Sequence, residues 1–151
     1  MARILIADDD ADVRQVLVVA LVDRGHEVAA ARDGAVAVRM LTEGTTPDLV
    51  VLDVMMPLRD GFQVLDELTN SGLRDLTRVI MLTANGSEHD ASRIFELGAD
   101  AYSTKPFDLD ELIAQIEELL ALSNEELKSR RERELDTSRL LSQLESILGD
   151  G

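Results

Sequence analysis

One stretch constrains this chain more than any other: Asp48-Leu49-Val50-Val51-Leu52-Asp53-Val54-Met55-Met56-Pro57. An apolar run with no polar alternation suits a strand covered on both faces, as in a parallel sheet with helices on either side. Asp53 then stands at the carboxyl end of a buried strand, where open α/β sheets gather their ligands. Taken alone, such a residue is an ordinary turn starter. Its weight comes from three other strand ends that carry equally pointed chemistry.

Those strands follow from the rest of the chain. Ile4 to Ala7 reads as a first strand, stopped by Asp8-Asp9-Asp10, and His26 to Ala31 reads as a second. Arg78 to Leu82 forms a fourth strand ending at Thr83-Ala84, and Ala101 to Thr104 a fifth ending at Lys105-Pro106. Between them, apolar residues recur at helical spacing. The inner stripes are Val13, Val16, Leu17, Ala20 and Leu21, then Val36, Ala37, Met40 and Leu41, then Val64, Leu65 and Leu68. Asp60-Gly61 is expected to form a turn before the third helix. Ser87 with Asp90 is a capping box for a fourth helix with Ile94 and Phe95 inward, ended by Gly98. Asp108, with Glu111 three residues on, starts a fifth helix whose inner face is Leu112, Ile113, Ile116, Leu119 and Leu120. Strand and helix thus alternate five times with no hairpin signal, which predicts an α/β fold with a parallel sheet sandwiched by helices. The order of the strands does not follow from one sequence.

A chain of 151 residues holds one domain with a sizeable core. No apolar run reaches the roughly 20 residues that span a bilayer, and Met1-Ala2-Arg3 leads straight into a strand rather than a signal segment. There is no cysteine. The expectation is a cytoplasmic protein without a membrane partner. The net charge is −15, with the acidity concentrated before residue 123. Such a surface repels phosphate backbones, so no direct nucleic-acid contact is expected.

Asp8, Asp9, Asp53, Thr83 and Lys105 all lie just past the carboxyl ends of strands one, three, four and five. Neighbouring strands are about 4.8 Å apart, so three carboxylates, a hydroxyl and an ammonium meet in one cleft. Crowded carboxylates repel and call for a cation. Oxygen ligands without His or Cys suit a hard ion, Mg²⁺ above all. A metal and Lys105 facing phosphoryl oxygens, a Thr83 hydrogen bond and an in-line carboxylate make a phosphoryl-accepting site. Asp53 is its natural nucleophile, with Asp8 and Asp9 placed as metal ligands.

These motifs together resemble the receiver domain of two-component response regulators. The resemblance rests on Asp8-Asp9, on Leu52-Asp53-Val54-Met55-Met56-Pro57 with Asp60-Gly61, on Thr83-Ala84, and on Tyr102-Ser103-Thr104-Lys105-Pro106-Phe107. It covers residues 1–122 and implies a doubly wound, flavodoxin-like sheet of order 2-1-3-4-5. It implies Asp53 as phosphoacceptor, served by a sensor histidine kinase or phosphotransfer protein. Asp9, Asp53 and the Met55 backbone carbonyl are implied as direct Mg²⁺ ligands, with Asp8 acting through water. Thr83 and Tyr102 are implied as a switch pair, and Lys105-Pro106 as a cis peptide. Met55 and Asn85 fall where such domains tune the phosphoryl lifetime; Met55 has no polar group to orient a water, which favours slow dephosphorylation. The implied function is a phosphorylation-activated signalling switch, not a turnover enzyme.

Other residues take blander roles. Asp10 is assigned to cap the first helix. His26 and His89 are read as surface residues, since neither has metal-spaced partners. Gln115 and Glu117 stand where receivers that dimerise through the fourth helix, fifth strand and fifth helix carry arginines, which argues against that mode. Against a dehalogenase-type phosphohydrolase stands Met55, in the place of that family's second Asp. Against a nucleotide-binding module stands the lack of a Gly-rich loop after the first strand.

From residue 123 to 151 the character changes to dense mixed charge followed by Leu140-Leu141, Leu144 and Ile147-Leu148. Glu126 with Arg130 and Lys128 with Glu132 support a helix. Leu120, Leu127, Leu141 and Leu148 share a seven-residue spacing that Glu134 breaks. Two readings stay open for this segment: a solvated helical extension, and a coiled-coil connector joining two copies in a homodimer.

Overall fold

The computed structural model describes residues 1–84 and 88–149, without the side chains of residues 88–90. The expected capping box at Ser87 and Asp90, and the readings of Asn85 and His89, therefore lie outside what is described.

Five strands alternate with helices: β1 Arg3–Ala7, α1 Ala11–Asp23, β2 Glu27–Ala31, α2 Gly34–Glu43, β3 Leu49–Asp53 and α3 Gly61–Asn70. After a single 3₁₀ turn at Arg74–Leu76 come β4 Arg78–Thr83, α4 Glu88–Glu96, β5 Ala101–Thr104 and α5 Leu109–Ala121. A last helix, α6, runs Asn124–Leu148. The strands are all parallel, in the order β2-β1-β3-β4-β5.

Strand periodicity divides the core in two. Leu5, Ala7, Val50, Leu52, Val79 and Met81 point to one face, where they meet Ala37 and Leu41 of α2, Val64, Leu65 and Leu68 of α3, and Ile94 of α4. Ile4, Ile6, Leu49, Val51, Ile80 and Leu82 point to the other, against Leu17 and Leu21 of α1 and Leu112, Ile113, Ile116 and Leu119 of α5. Every residue of β3 is buried, which is why that strand reads as an unbroken apolar run. Each of its four apolar side chains, Leu49 to Leu52, contributes about 1.5–3 kcal/mol when fully buried.

Two expectations about exposure need correction. Val16 is on the outside of α1, not on its inner stripe. That helix is apolar on nearly every face, with Val16, Val19 and Val22 all exposed, so periodicity could not select the buried side. His26 is not a surface residue: its side chain is only 8% exposed. Its Nδ1 accepts from the Ala2 backbone N–H, and its Nε2 lies 2.7 Å from Glu117 Oε1 of α5. A contact across 91 residues leaves no local trace in the chain.

Helix ends carry the expected chemistry. Asp10 caps α1 by accepting from the N–H groups of Asp12 and Val13, and Asp108 caps α5 by accepting from Glu111 N–H. Asp60 does more than turn the chain, because it and Gln63 form a reciprocal capping box on α3. Gly61 is required beside it, since a Cβ there would lie 2.3 Å from the Asp53 carbonyl oxygen. The loop from Asp53 to α3 thus folds back onto the backbone of Asp53 itself, and Gly61 N–H closes it on Val54 O.

The α6 helix begins with a second capping box, Ser123 with Glu126. Leu127 enters the core on the α1–α5 side. Arg131 then reaches Asp100, just before β5, and Arg139 lies 3.9 Å from Glu96 of α4. The helix therefore passes from the α5 layer to the α4 layer beside the start of β5.

Candidate phosphoacceptor site

Parallel pairing brings the strand ends level. Asp53 pairs with Leu82, so Thr83 follows immediately beside it, and Thr83 pairs with Thr104, which precedes Lys105. The Lys105 N–H continues the ladder onto Thr83 O at 2.8 Å. The Lys105–Pro106 peptide is cis. On the other side Ala7 pairs with Leu52, which puts Asp8 and Asp9 just past the same rim.

The side chains meet there. One oxygen each from Asp8, Asp9 and Asp53 lies within 4.8 Å of the others. Lys105 Nζ sits 2.7 Å from Asp8 Oδ2 and 3.2 Å from Asp53 Oδ2. Asp8 and Asp53 are buried while Asp9 is open to solvent. The second oxygens are turned by backbone: Asp10 N–H donates to Asp8 Oδ1 at 2.9 Å, and Met55 N–H to Asp53 Oδ1 at 3.3 Å. Thr83 is buried beside them.

Electrostatics set the protonation. Burial, and next the charge on Asp8, raise the Asp53 carboxyl from its ordinary 3.8 to about 6, with Lys105 pulling the other way. Burial disfavours the charge on Lys105, but its bonds to Asp8 and Asp53 outweigh this and raise its pKa. One ammonium against three carboxylates leaves net negative charge in a partly buried cleft. Oxygen-only donors at this spacing fit a hard divalent cation with open water positions. The residues present suit Mg²⁺.

Tyr102 is brought near but not into this cluster. Its half-buried ring packs edge-on against Phe95 of α4, with centroids 5.8 Å apart. Its backbone carbonyl faces Gln115 Nε2 of α5 at 3.5 Å. Met55 stands at the mouth with its side chain exposed.

Likeness to known proteins decides the family. Residues 4–117 match the response regulator receiver domain. This chain is a member of that family. It is 43% identical over 124 residues to the transcriptional regulatory protein CpxR of Klebsiella pneumoniae, covering 82% of this chain and 51% of that protein. Among solved structures it resembles the response regulator TrrA of Thermotoga maritima in complex with Mg²⁺–BeF, with a TM-score of 0.68 and 34% identity over 79% of this chain and 99% of that one. It also resembles NtrX of Brucella abortus, with a TM-score of 0.68 and 29% identity over 97% of this chain and 29% of that one. The chain spans about half the length of the curated relatives it matches. As a receiver domain it has the function class of a phosphoacceptor signalling switch.

Sequence reasoning missed two residues, Arg14 beside the site and Asp100 at the opposite end of β5. Arg14 of α1 donates to the Asp8 carbonyl at 2.7 Å, steadying the acidic loop from the first helix. Its position six residues after Asp8 gave no signal by itself. Asp100 is fully buried, and its carboxylate accepts from Val79 N–H at 2.8 Å and Arg74 Nη2 at 3.0 Å, and also pairs with Arg131 of α6. A carboxylate immediately before a strand is the one hint the sequence held.

Proposed function

We propose that this chain accepts a phosphoryl group on Asp53 from a phosphohistidine of a sensor histidine kinase or phosphotransfer protein, and passes on a change at its α4–β5 surface. The observation that supports this best is Lys105 held between the buried carboxylates of Asp8 and Asp53, with Asp9 beside them. Asp8, Asp9, Asp53 and the Met55 backbone carbonyl are the residues that hold Mg²⁺. When bound, the ion neutralises charge on the phosphoryl oxygens and relieves repulsion among the carboxylates.

Ionised Asp53 offers an oxygen for in-line attack on phosphorus. As the O–P bond forms, the N–P bond of phosphohistidine breaks, and its electron pair returns to the imidazole, which takes up a proton from solvent. Lys105 steadies the oxygens of the phosphoryl group. Thr83 meets them with a hydrogen bond, and Tyr102, packed on Phe95, carries the change to α4. With Met55 offering no group to activate water, the acyl phosphate is long-lived, and the chain is a switch rather than a turnover enzyme.

Residues 1–122 form the receiver unit and 123–151 the extension. The extension pairs two copies into a homodimer through Leu140, Leu144 and Ile147, a three-four spaced stripe that is exposed in the single chain. No helix among the described residues is long and apolar enough to cross a membrane, and the reading places the chain in the cytoplasm. The net charge of −15 argues against a nucleic-acid contact by these residues themselves.

The test is incubation with a small phosphodonor and Mg²⁺. A single hydroxylamine-sensitive phosphate on Asp53, located by mass spectrometry and absent from Asp53→Asn, is the expected result. Continued release of phosphate over many turnovers, or retention of the label in Asp53→Asn, refutes the reading.

A further inference from the structure

The face that α6 turns to the receiver body is not its apolar one. The inward positions are Leu127, Arg130, Arg131, Glu134, Leu135, Ser138 and Ser142, while Leu140, Leu141, Leu144, Ile147 and Leu148 are 41–78% exposed. Beyond Leu127, the polar contacts of the docked helix among the described residues are ion pairs: Arg130 with Glu118, Arg131 with Asp100, and Arg139 with Glu96. The first and last involve exposed carboxylates, and such pairs hold little. Asp100 differs: its side chain is fully buried, so among the described residues the Arg131 pair is the strongest polar hold along the helix.

Asp100 is also wired to the phosphoacceptor rim. It immediately precedes β5, and Lys105 immediately follows it. The strand between them is paired to β4 throughout, from Ile80 with Ala101 to Thr83 with Thr104. The second route is α4. Phe95 of that helix packs on Tyr102, and Glu96 of the same helix faces Arg139 of α6. The strand that leads into Lys105 and the helix packed on Tyr102 therefore both adjoin residues that α6 holds.

From this arrangement we propose that α6 is a phosphorylation-released cover over the α4–β5 face, latched by Arg131 on the buried Asp100 carboxylate. This deepens the phosphoacceptor reading and rests on it. Occupation of the site shifts Lys105 and the α4–Tyr102 pair, the latch weakens, and the helix leaves the α4–β5 face; its leucine stripe is exposed in both positions. Release is inexpensive because Asp100 keeps Arg74 as a partner when Arg131 departs, and because few apolar side chains of α6 are buried in the docked position.

Linkage makes the proposal testable in both directions: whatever favours release must tighten binding of a phosphoryl mimic, by up to the factor by which the mimic favours release. The probe is beryllofluoride with Mg²⁺ on the full chain. Arg131→Ala should bind it at least about fivefold more tightly than wild type, the low end of such couplings, with Arg131→Lys between the two and Arg133→Ala, an exposed arginine of the same helix, unchanged. Joining Glu96→Cys to Arg139→Cys with a short bismaleimide should weaken binding by a similar factor. Since the chain has no cysteine of its own, spin labels at Asp66→Cys and Ser146→Cys report the position of α6, and their distance should change on adding the probe. Phosphate found on Asp53 with unchanged affinities and an unmoved helix overturns the latch and leaves the receiver reading standing. No phosphate on Asp53 in wild type or Arg131→Ala overturns both.

Discussion

Asp53→Asn should make the metal-free protein more stable at neutral pH, although it removes one partner of an ion pair. The Asp53 carboxyl is raised from 3.8 to about 6 in the folded chain. The folded protein therefore binds this proton more tightly than the unfolded chain, and ionisation costs stability. About two units at about 1.4 kcal/mol each give a penalty of about 3 kcal/mol above pH 7. The penalty is about half as large near pH 5 and vanishes below pH 3.8, so stability falls as pH rises through this window. Asparagine keeps the shape and can still accept from Met55 N–H, while Lys105 retains Asp8 at 2.7 Å. Allowing for the lost Lys105 contact, the expected gain is about 1–3 kcal/mol at pH 7.5, less than the full penalty. Urea denaturation of both proteins in EDTA at pH 7.5 and pH 5 measures it. A variant less stable than wild type at pH 7.5, or a gain that does not shrink at pH 5, would refute the claim that crowded, buried negative charge governs this site.

Three further outcomes follow from the same geometry. Mg²⁺ should raise the melting temperature of wild type at pH 7.5, approaching about 2.7 kcal/mol at a hundredfold excess over its dissociation constant, with much smaller shifts in Asp53→Asn and Asp9→Asn; equal shifts in all three would mean binding elsewhere. Gly61→Ala should cost about 1–3 kcal/mol, because its methyl group would meet the Asp53 carbonyl at 2.3 Å, and thermal melts that match wild type would show the loop is free to yield. Leu144→Glu should abolish self-association in sedimentation equilibrium without altering phosphorylation of Asp53; an unchanged dimer would remove the leucine stripe as the pairing surface.

Much of the architecture was legible because local patterns and global fold agree. An apolar run with no alternation means burial on both faces, and β3 is buried at every residue. Ile94, Phe95 and the α5 stripe lie inward as their spacing predicts. The candidate site was legible for a different reason: each of its residues ends or follows a strand, and a parallel sheet gathers such ends on one rim. Val16 was misread because α1 is apolar all round, and a pattern without contrast has no direction. His26 was misread because its partners, Ala2 and Glu117, are distant in the chain. Nor could spacing alone show that Leu140, Leu141, Leu144 and Leu148 of α6 stay outside while Arg130 and Arg131 turn inward.

The sequence by itself determined the elements, their alternation and which chemical groups end each strand, because these depend on neighbours within a few residues. The strand order, 2-1-3-4-5, came from the family resemblance and not from the residue pattern, and the structure has it; the tertiary structure alone decided the 2.7 Å approach of Lys105 to Asp8 and the sharing of Asp100 between Arg74 and Arg131. Those depend on distances between groups far apart along the chain, and a buried charge takes its protonation and its partners from whatever surrounds it in space.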